Sequence, residues 1–475
     1  METKIKNKDS ILCEGDVDSK RIVLNIAEKT LQKLDAYERI KSITKYENNI
    51  LTIGTEKWDL SKKNHVYLIG AGKACNHMAR AIDEILGDRL TKGIAIVKIK
   101  EPDEQFRHTD IYVGGHPLPN EEGYKACKKI IELIKGATDK DLFIVVISGG
   151  SSALMSCPID GISLQDEIDT TDVMLKSGAN IYEINSIRRH ISQLNGGMLA
   201  KKIREKGAQL IGFGISDAVG NLPTTDIGIP YSGYKGTPMG PDQTTIQMAR
   251  DVIKHYAVED RLPKTVVDYL MNCGEEGETP KAFPENTYFL LNTLPDSCVY
   301  AKEIAEEMGI PAIILSSFLE GESKDAGKIF ASVAKEIQNY GNPVKAPCIV
   351  LSSGETVTTI LDNKTVSGHG GPSQELVTGF AIAAKGLFGC VMYSMDSEGT
   401  DGTTLVAGGI TDSVTGSLAE EKGIDLYKAL RQHSCFEALE PLNATVFTGN
   451  TGTNLCDLNI MYVPAKTDRK QEDRR

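Results

Sequence analysis

Short apolar runs alternate with helical stretches along most of the chain. The runs VYLIGAG (66–72) and LFIVVISGG (142–150) are rich in aliphatic residues and nearly continuous, and a similar run, QLIGFGISD, lies around residue 210. Strands of this kind, alternating with helices, indicate a mostly parallel sheet that is covered on both faces. The segment 20–45 carries apolar residues at helical spacing, which predicts an amphipathic helix that opens the fold.

The alternation weakens twice. The segment 221–245 is rich in Gly, Pro and Thr and predicts a long loop, a feature that usually serves as a lid or binding loop. The polar segment 274–286 is interpreted as an interdomain linker, after which a second α/β run begins. At 475 residues, two domains are the natural number. We therefore predict an α/β protein with two Rossmann-like, mostly parallel domains, spanning 20–273 and 287–465, with an active-site cleft between them.

Composition narrows the class of protein. Hydrophobic residues make up 40% and charged residues 25%, as in ordinary packed globular proteins. The formal net charge of −12 argues against nucleic acid and anionic membranes as partners. The chain has no bilayer-spanning apolar run and its N-terminus has no signal-peptide pattern, so we expect no membrane association and a cytoplasmic location. The scattered cysteines predict buried reduced thiols, and we expect a monomer or homodimer.

The ends of the predicted strands hold the candidate chemistry. In open parallel sheets, ligands bind outside the carboxyl ends of the strands. Small and polar residues are concentrated at these positions: Gly70, Gly72 and Lys73; His116; Ser148, Gly149, Gly150, Ser151 and Ser152; Asp217; Glu355; Asp396–Gly402; and Thr448–Asn454.

Two of these strand ends predict anion binding. SGGSS (148–152) lies between a strand and a predicted helix, where backbone N–H groups and the helix dipole favour a phosphate, although glycines at such turns also serve packing. GAGK (70–73) lacks the third glycine of a dinucleotide fingerprint and the spacing of a Walker A motif. We expect Lys73 at the start of a helix, where a cation is unfavourable unless an anion binds. A functional Lys73 is therefore favoured over a solvated one.

A predicted helix at 177–192 and two acidic loops complete the candidates. Asn185 and Arg188 lie three residues apart on one helix face, an arrangement that suits a grip on a carboxylate or phosphate. Asp217 and Asp401 lie in Gly-containing acidic loops and are candidates for holding Mg²⁺. Solvated helix faces and ordinary turns have the same patterns.

A series of short motifs runs in order along the chain. They are GAGKA (70–74), GGHPLPNEEG (114–123), ISGGSSAL (147–154), SGANIYEINSIRRHIS (177–192), NGGMLA (195–200), SDAVGN (216–221), PDQTT (241–245), EGES (320–323), GET (354–356), GHGGPSQEL (368–376), GTDG (399–402) and TGTNLCDL (451–458). In this order the motifs resemble the glycerate 2-kinases that carry a MOFRL-type C-terminal domain, relatives of which are often labelled hydroxypyruvate reductase. The resemblance implies ATP-dependent phosphorylation of glycerate at its 2-hydroxyl.

The resemblance, with the strand-end positions, gives each candidate an expected role. We expect a kinase that uses ATP and Mg²⁺ on a small hydroxy acid. The expected catalytic residues are Lys73, Arg188 and Asp217, and the expected metal ligands are Asp217 and Asp401. The expected substrate contacts are His116, Asn185 and Arg188. The expected ATP contacts are Gly70, Gly72, Ser148, Gly149, Gly150, Ser151, Ser152, Glu355, Gly449 and Asn454.

Several departures from the family pattern keep alternatives open. The family reads GGRNQE where this chain reads GGPSQE, so Pro372 replaces an arginine, and Asn195 and Met198 replace two further cations. Asn221 replaces an aspartate, and Glu398 stands for the first acid of the TDG–DG turns. His369 and Lys235 are candidates to supply the missing charge. The alternatives are a kinase for another hydroxy or sugar acid, an NAD(P)-dependent hydroxypyruvate reductase, and a non-catalytic ligand-binding homologue.

Overall fold

The chain forms two compact units. The computed structural model describes residues 3–101, 105–224, 226–233, 237–283, 287–360 and 366–466. The N-terminal unit consists of Ala36–Ile215 and Thr225–Leu291. The C-terminal unit consists of Met1–Asp35, Ser216–Thr224 and Asn292–Arg475. The predicted α/β class with two domains is confirmed, but residues 20–35, which the predicted boundary places in the first domain, belong to the C-terminal unit.

The elements alternate along the chain much as the sequence predicts. The first half contains α1 (Lys8–Ile11), α2 (Val17–Leu34), α3 (Ala36–Ile43), β1 (Thr44–Glu47), β2 (Ile50–Ile53), β3 (Glu56–Asp59), β4 (Val66–Ala71), α4 (Cys75–Leu86), β5 (Lys92–Val97), β6 (Thr109–Val113), α5 (Glu121–Lys135), β7 (Leu142–Ile147), α6 (Ser151–Leu154), α7 (Leu164–Lys176), α8 (Ile181–His190), α9 (Met198–Glu205) and β8 (Gln209–Ser216). The second half contains α10 (Ile246–His255), α11 (Lys264–Asn272), β9 (Thr287–Thr293), α12 (Asp296–Glu307), β10 (Ala312–Leu319), α13 (Ser323–Tyr340), β11 (Cys348–Gly354), α14 (Pro372–Ala383), β12 (Val391–Asp396), β13 (Gly408–Asp412), α15 (Thr415–Glu421), α16 (Leu426–Gln432), α17 (Cys435–Leu439), β14 (Thr445–Val446) and β15 (Asp457–Val463).

The N-terminal unit is built on a parallel sheet, as predicted. Its strand order is β6-β5-β4-β7-β8-β9, and every neighbouring pair from β6 to β8 is parallel. All six residues of the central strand β7 are buried, which explains its unbroken apolar sequence. Phe143 of β7 packs in one core with Ile130 of α5 and Leu199 of α9. A separate antiparallel sheet is formed by β1, β2 and β3.

The sheet of the C-terminal unit differs from the prediction. Its order is β10-β11-β15-β12-β13-β14, and only the β10–β11 pair is parallel, while the other neighbouring pairs are antiparallel. The prediction of a mostly parallel second sheet is therefore wrong in strand direction. The last strand, β15, returns to insert between β11 and β12, and the alternation of strands and helices does not specify such a return.

The predicted opening segment is helical, but it is divided between the two units: α2 belongs to the C-terminal unit and α3 to the N-terminal unit. The predicted helix at 20–45 is two helices, α2 and α3. Val23 and Leu31 of α2 are fully buried in one core with Ile349 of β11 and Ile460 of β15. Hydrophobic periodicity identifies which face of a helix is buried but not the sheet that covers it.

The predictions for the segments 221–245 and 274–286 have different outcomes: the first is confirmed for its described part and the second is wrong. The described part of 221–245 contains no helix or strand, so the prediction of a long loop holds there, while Lys235 lies outside the described residues. The interpretation of 274–286 as a linker is wrong for its described part, because Thr279 donates a hydrogen bond to Asp242 (3.0 Å) within the N-terminal unit. All ten cysteines are free thiols, as predicted, but the predicted burial is wrong for Cys13, which is exposed, and incomplete for Cys273 and Cys456. Among the described residues, no helix combines the length and apolar character needed to cross a bilayer.

Candidate functional site

Two strand-end loops of the N-terminal unit pack directly against each other. Gly70 lies in β4, and the residues that follow this strand meet the loop after β7. The backbone N–H of Lys73 donates to the carbonyl of Gly149 (3.0 Å), and the N–H of Ala74 donates to Ser148 Oγ (3.0 Å). Gly72 has φ of +144°, and a Cβ there would lie 2.1 Å from Ser148 Oγ. Both motifs therefore belong to one rigid assembly, and only glycine fits at position 72.

A third predicted residue joins this assembly. Gly150 has φ of +83°, and a Cβ there would lie 3.1 Å from Lys73 Cγ and 3.2 Å from His116 Cδ2. The side chains of Lys73 and His116, which follow different strands, thus flank the same glycine. The structure brings together the predicted phosphate loop, the predicted catalytic lysine and the predicted substrate histidine.

The local helices differ from those expected. Helix α4 begins at Cys75 with Ala74 as its N-cap, so Lys73 precedes the helix and does not lie in its first turn. Helix α6 begins at Ser151 and contains only four residues, Ser152 among them. The helix dipole therefore contributes less at these loops than the sequence indicates. Close backbone packing and glycine geometry define the site instead.

Asn195 supports the same loop. It is 1% exposed, and its Nδ2 donates to the carbonyls of Ser152 (3.1 Å) and Met155 (3.3 Å). At this position the family resemblance implies a lysine. In this chain the residue braces the backbone behind the loop and carries no charge.

Arg188 is a buried cation on α8. The helix begins with a capping box in which the Asn180 and Glu183 side chains satisfy each other's backbone N–H groups. Arg188 is 5% exposed, and its Nε and Nη2 have no hydrogen-bond partner among the described residues. Asn185 lies one turn earlier, and its Oδ1 also has no such partner. A buried guanidinium with unused donors is well suited to bind an anion.

A buried carboxylate faces Arg188 at longer range. Glu167 of α7 is fully buried and accepts a hydrogen bond from the Ser156 hydroxyl. Burial lowers the pKa of Arg188, and the charge of Glu167 opposes this shift. Burial raises the pKa of Glu167, and the charge of Arg188 opposes that shift. The two charges therefore stabilise each other. The sequence analysis did not identify Glu167 as a candidate site residue.

The neighbouring basic residues of α8 are structural. Arg189 forms a 2.9 Å ion pair with buried Asp242. His190 Nε2 lies 2.7 Å from Glu278 Oε1. These contacts attach α8 to the segments that contain Asp242 and Glu278. Of the basic residues 188–190, Arg188 is the one that has no ion pair within 4 Å among the described residues.

The C-terminal unit brings together a second group of predicted residues. Asp217 follows β8, and its Oδ2 accepts a hydrogen bond from Asn454 Nδ2 (3.1 Å). The Cys456 thiol lies 3.5 Å from the Asp217 carbonyl and 4.0 Å from Glu355 Oε2. Burial raises the pKa of Cys456, and the charges of Asp217, Glu355 and Asp396 raise it further. Asp217, Glu355 and Asn454, far apart in sequence, therefore lie around one thiol.

Asp401 caps a helix. It is 1% exposed, and its two carboxylate oxygens accept from the backbone N–H groups of Ser373 (3.1 Å) and Gln374 (2.9 Å), in the first turn of α14. A Cβ on Gly371 would lie 2.3 Å from Asp401 Oδ1, so this glycine permits the close approach. Burial raises the pKa of Asp401 to about 6. Both oxygens are committed to α14, which argues against the predicted role of Asp401 as a metal ligand.

Asp457 is a buried acid that the sequence analysis did not single out, although it lies inside the motif TGTNLCDL. Its Oδ2 accepts from the backbone N–H of Thr356 (3.2 Å), and Ser373 Oγ lies 3.4 Å from its Oδ1. Burial and the nearby charge of Asp401 raise the pKa of Asp457 to about 7. Within the described ranges, no group of three or more His, Cys, Asp or Glu residues is arranged to hold a metal ion.

The structure also describes Pro372, which replaces the arginine of the family pattern, and His369, a candidate to supply the missing charge. Pro372 is the first residue of α14, a position that suits proline because its missing N–H has no helical acceptor. His369 is exposed, and its Nδ1 lies 2.8 Å from Glu437 Oε1. His369 is therefore held by an acidic partner.

Gly449, an expected ATP contact, begins the 449–454 loop and has φ of +67°.

Two α/β units, each with small and polar residues clustered at its strand ends, define a two-domain α/β protein whose strand ends hold its candidate chemistry. Family models match both parts of the chain: "Domain of unknown function (DUF4147)" covers residues 22–271, and "MOFRL family" covers 348–457. The chain belongs to the family that these two domains define.

Two glycerate 2-kinases and one solved glycerate kinase structure are similar to most of this chain. The glycerate 2-kinase of Pyrococcus horikoshii is 35% identical over 95% of this chain and 99% of its own. The D-glycerate 2-kinase of Thermotoga maritima is 33% identical over 84% of this chain and 90% of its own. A crystal structure of glycerate kinase from Thermotoga maritima matches with a TM-score of 0.76 and 31% identity, covering 94% of this chain and 99% of that one.

Proposed function

We propose that this protein is a glycerate 2-kinase, which transfers the terminal phosphoryl group of ATP to the 2-hydroxyl of glycerate. The observation that carries the proposal is the similarity to the Pyrococcus horikoshii glycerate 2-kinase, at 35% identity over 95% of the chain. Phosphoryl transfer depends mainly on positioning the reactants and neutralising charge. The described residues offer both.

In the N-terminal unit, Lys73 and the Ser148–Ser152 loop would bind phosphate oxygens. Lys73 and His116 flank Gly150, so donors from three strand ends face one small region. The hydroxyls of Ser151 and Ser152 would add hydrogen bonds of about 0.5–1.5 kcal/mol each. The packed backbone beneath them holds these groups before the substrate arrives, which lowers the cost of reorganisation.

Arg188 and Asn185 would orient the acceptor acid. The Arg188 guanidinium is 5% exposed and has unpaired donors among the described residues, and Asn185 lies on the same helix face. A carboxylate bound there would gain charge-assisted hydrogen bonds, worth about 1.5–3 kcal/mol. Such a contact would select hydroxy acids over neutral alcohols.

In the C-terminal unit, Asp217 and Glu355, which both lie near the Cys456 thiol, would be the carboxylates that hold Mg²⁺. Mg²⁺ is usually held by one or two protein carboxylates together with substrate phosphates and water, so a complete cage of protein ligands is not required. When bound, Mg²⁺ supplies positive charge that neutralises the phosphates. The hydrogen bond from Asn454 fixes the Asp217 carboxylate (3.1 Å). Asp401 holds the start of α14, and it is a positioning residue in this scheme.

Ligand-induced thermal shifts, with turnover assays, would test the proposal. A ligand present at 100 times its dissociation constant adds about 2.7 kcal/mol of stability. We expect stabilisation by ATP with Mg²⁺, none by NADH, and release of ADP only when a hydroxy acid is added. NADH stabilisation with NADH oxidation by hydroxypyruvate, and no ADP release, would establish the reductase instead. Nucleotide binding without turnover of any hydroxy acid would indicate a binding homologue.

A further inference from the structure

The segment 216–224 carries Asp217 into the C-terminal unit. It begins with Ser216, the last residue of β8, and from Asp217 to Thr224 it forms no helix or strand. Such a segment has no ladder of backbone hydrogen bonds to fix it, so its position depends on contacts with other parts of the unit. Those contacts therefore determine where the Asp217 carboxylate lies.

Asp296, the first residue of α12, holds the far end of this segment. Its side chain is enclosed, since the residue is 1% exposed. Its Oδ1 accepts from the backbone N–H of Thr224 (2.9 Å), and its Oδ2 accepts from the Thr224 hydroxyl (2.7 Å). Oδ2 also accepts from the backbone N–H of Thr293 (2.7 Å). Both carboxylate oxygens are therefore used, and they join Thr224 to the end of β9.

Three further contacts fix the rest of the segment. The Thr293 hydroxyl donates to the carbonyl of Leu222 (2.9 Å). Gly220 has φ of +94°, and the turn at this glycine lets Asn221 Nδ2 donate back to Ser216 Oγ (2.6 Å). At the near end, the Asp217 carboxylate accepts from Asn454, as described above. The segment is thus anchored on both sides of its turn.

We propose that Asp296 is a positioning residue for phosphoryl transfer, which fixes the segment 216–224 and with it the Asp217 carboxylate. This inference rests on the proposed function, which assigns Asp217 to Mg²⁺. Asp296 itself is enclosed and bonded to Thr224 and Thr293, so it acts through the segment and touches neither substrate nor metal. Residues that orient a metal ligand from behind typically change metal affinity or activity by about 10- to 100-fold.

The test variant is Asp296→Asn. An amide has one accepting oxygen, and its NH₂ group cannot accept from a backbone N–H. The substitution therefore leaves the N–H of Thr224 or of Thr293 without its acceptor. Two milder variants test the same contact: Thr224→Val removes the hydroxyl that donates to Asp296, and Thr224→Ser retains it.

Asp141→Asn is the matched control. Asp141 is also 1% exposed, and it accepts from the backbone N–H groups of His65 (3.1 Å) and Thr138 (2.7 Å) and from the Thr138 hydroxyl (3.0 Å). It precedes β7, so it lies at the end of the strand opposite to the Ser148–Ser152 loop. The control removes the same kind of hydrogen bonds from a place without candidate site residues, and we expect a similar loss of melting temperature.

Hydrogen–deuterium exchange of the peptide 216–224 and steady-state kinetics of the intact protein are the two measurements. Asp296→Asn should exchange faster across this peptide and should lower kcat by about 10- to 100-fold. The KM for glycerate should stay within about twofold, because Arg188 and Asn185 lie in the other unit. Thr224→Val should change both measurements in the same direction by less, while Thr224→Ser and Asp141→Asn should stay within about twofold of wild type.

The outcomes separate this inference from the proposed function. Unchanged exchange across 216–224 in Asp296→Asn would show that Asp296 does not fix the segment. Faster exchange with unchanged kcat, or an equal loss of kcat in Asp141→Asn, would overturn its role in the reaction and leave the kinase intact. Faster exchange in a protein whose wild type phosphorylates no hydroxy acid would overturn the proposed function and leave Asp296 as the anchor of the segment.

Discussion

Replacing Asp457 by asparagine should stabilise the protein at neutral and alkaline pH. Asp457 is about 6% exposed, and burial together with the charge of Asp401 raises its pKa from its usual 3.8 to about 7. Asparagine retains an oxygen to accept from the N–H of Thr356, and its amide N–H can donate to Ser373 Oγ, which in the native protein donates to Asp457. The substitution therefore keeps the hydrogen bonds and removes the buried charge.

The direction and size of the effect follow from proton linkage. Because the folded state binds this proton more tightly than the unfolded chain does, stability falls as pH rises from about 4 to 7 and is constant above that range. A rise in pKa from 3.8 to about 7 corresponds to roughly 4 kcal/mol. Part of this penalty is shared with Asp401, so about 4 kcal/mol is an upper limit for the gain at pH 8.

Urea unfolding at pH 5 and pH 8, in EDTA to remove divalent cations, measures the effect. The stability of Asp457→Asn relative to wild type should rise by about 1–2.5 kcal/mol between these two pH values, because part of the effect is already present at pH 5. The control is Asp325→Asn, which changes an exposed acid of the same unit and should show no such rise. A difference between Asp457→Asn and wild type that does not change with pH would show that Asp457 is ionised at little cost, and the reasoning would be wrong.

Three further substitutions test the site. Lys73→Ala should lower kinase turnover by orders of magnitude with little change in melting temperature, and a matching loss of stability would make Lys73 structural. Glu167→Gln should raise the KM for the acceptor acid with a smaller change in kcat, because the Glu167 carboxylate stabilises the positive charge of Arg188. The control is Asp172→Asn, at a partly exposed position on the same helix, and equal kinetics for the two variants would contradict this role. Pro372→Arg should improve kcat/KM for D-glycerate by about tenfold or more if wild type uses it poorly, measured by ADP release, and no improvement would show that the arginine is dispensable.

Hydrophobic patterning predicted the N-terminal unit well. Strands such as β7 are buried on both faces, so their sequences are continuously apolar and can be recognised from the sequence alone. The C-terminal sheet was less predictable. Strand β15 pairs with both β11 and β12, and such long-range pairing depends on the whole tertiary structure and not on local sequence.

The strand-end rule predicted the site more reliably than residue chemistry did. Lys73, His116 and Gly150 come together because each follows a strand of one parallel sheet. The role of Asp401 was not predictable, since the N–H groups that it caps belong to Ser373 and Gln374, distant in sequence.

The most direct test of the central claim is the identity of the product formed from ATP, Mg²⁺ and D-glycerate. ³¹P NMR of the reaction mixture distinguishes 2-phosphoglycerate from 3-phosphoglycerate and from inorganic phosphate. We predict a phosphate ester at the 2-position, formed with one ADP for each ester and lost in Lys73→Ala. Phosphate at the 3-position would contradict the assigned 2-kinase activity, and no phosphorylated glycerate under saturating substrate would contradict the kinase itself.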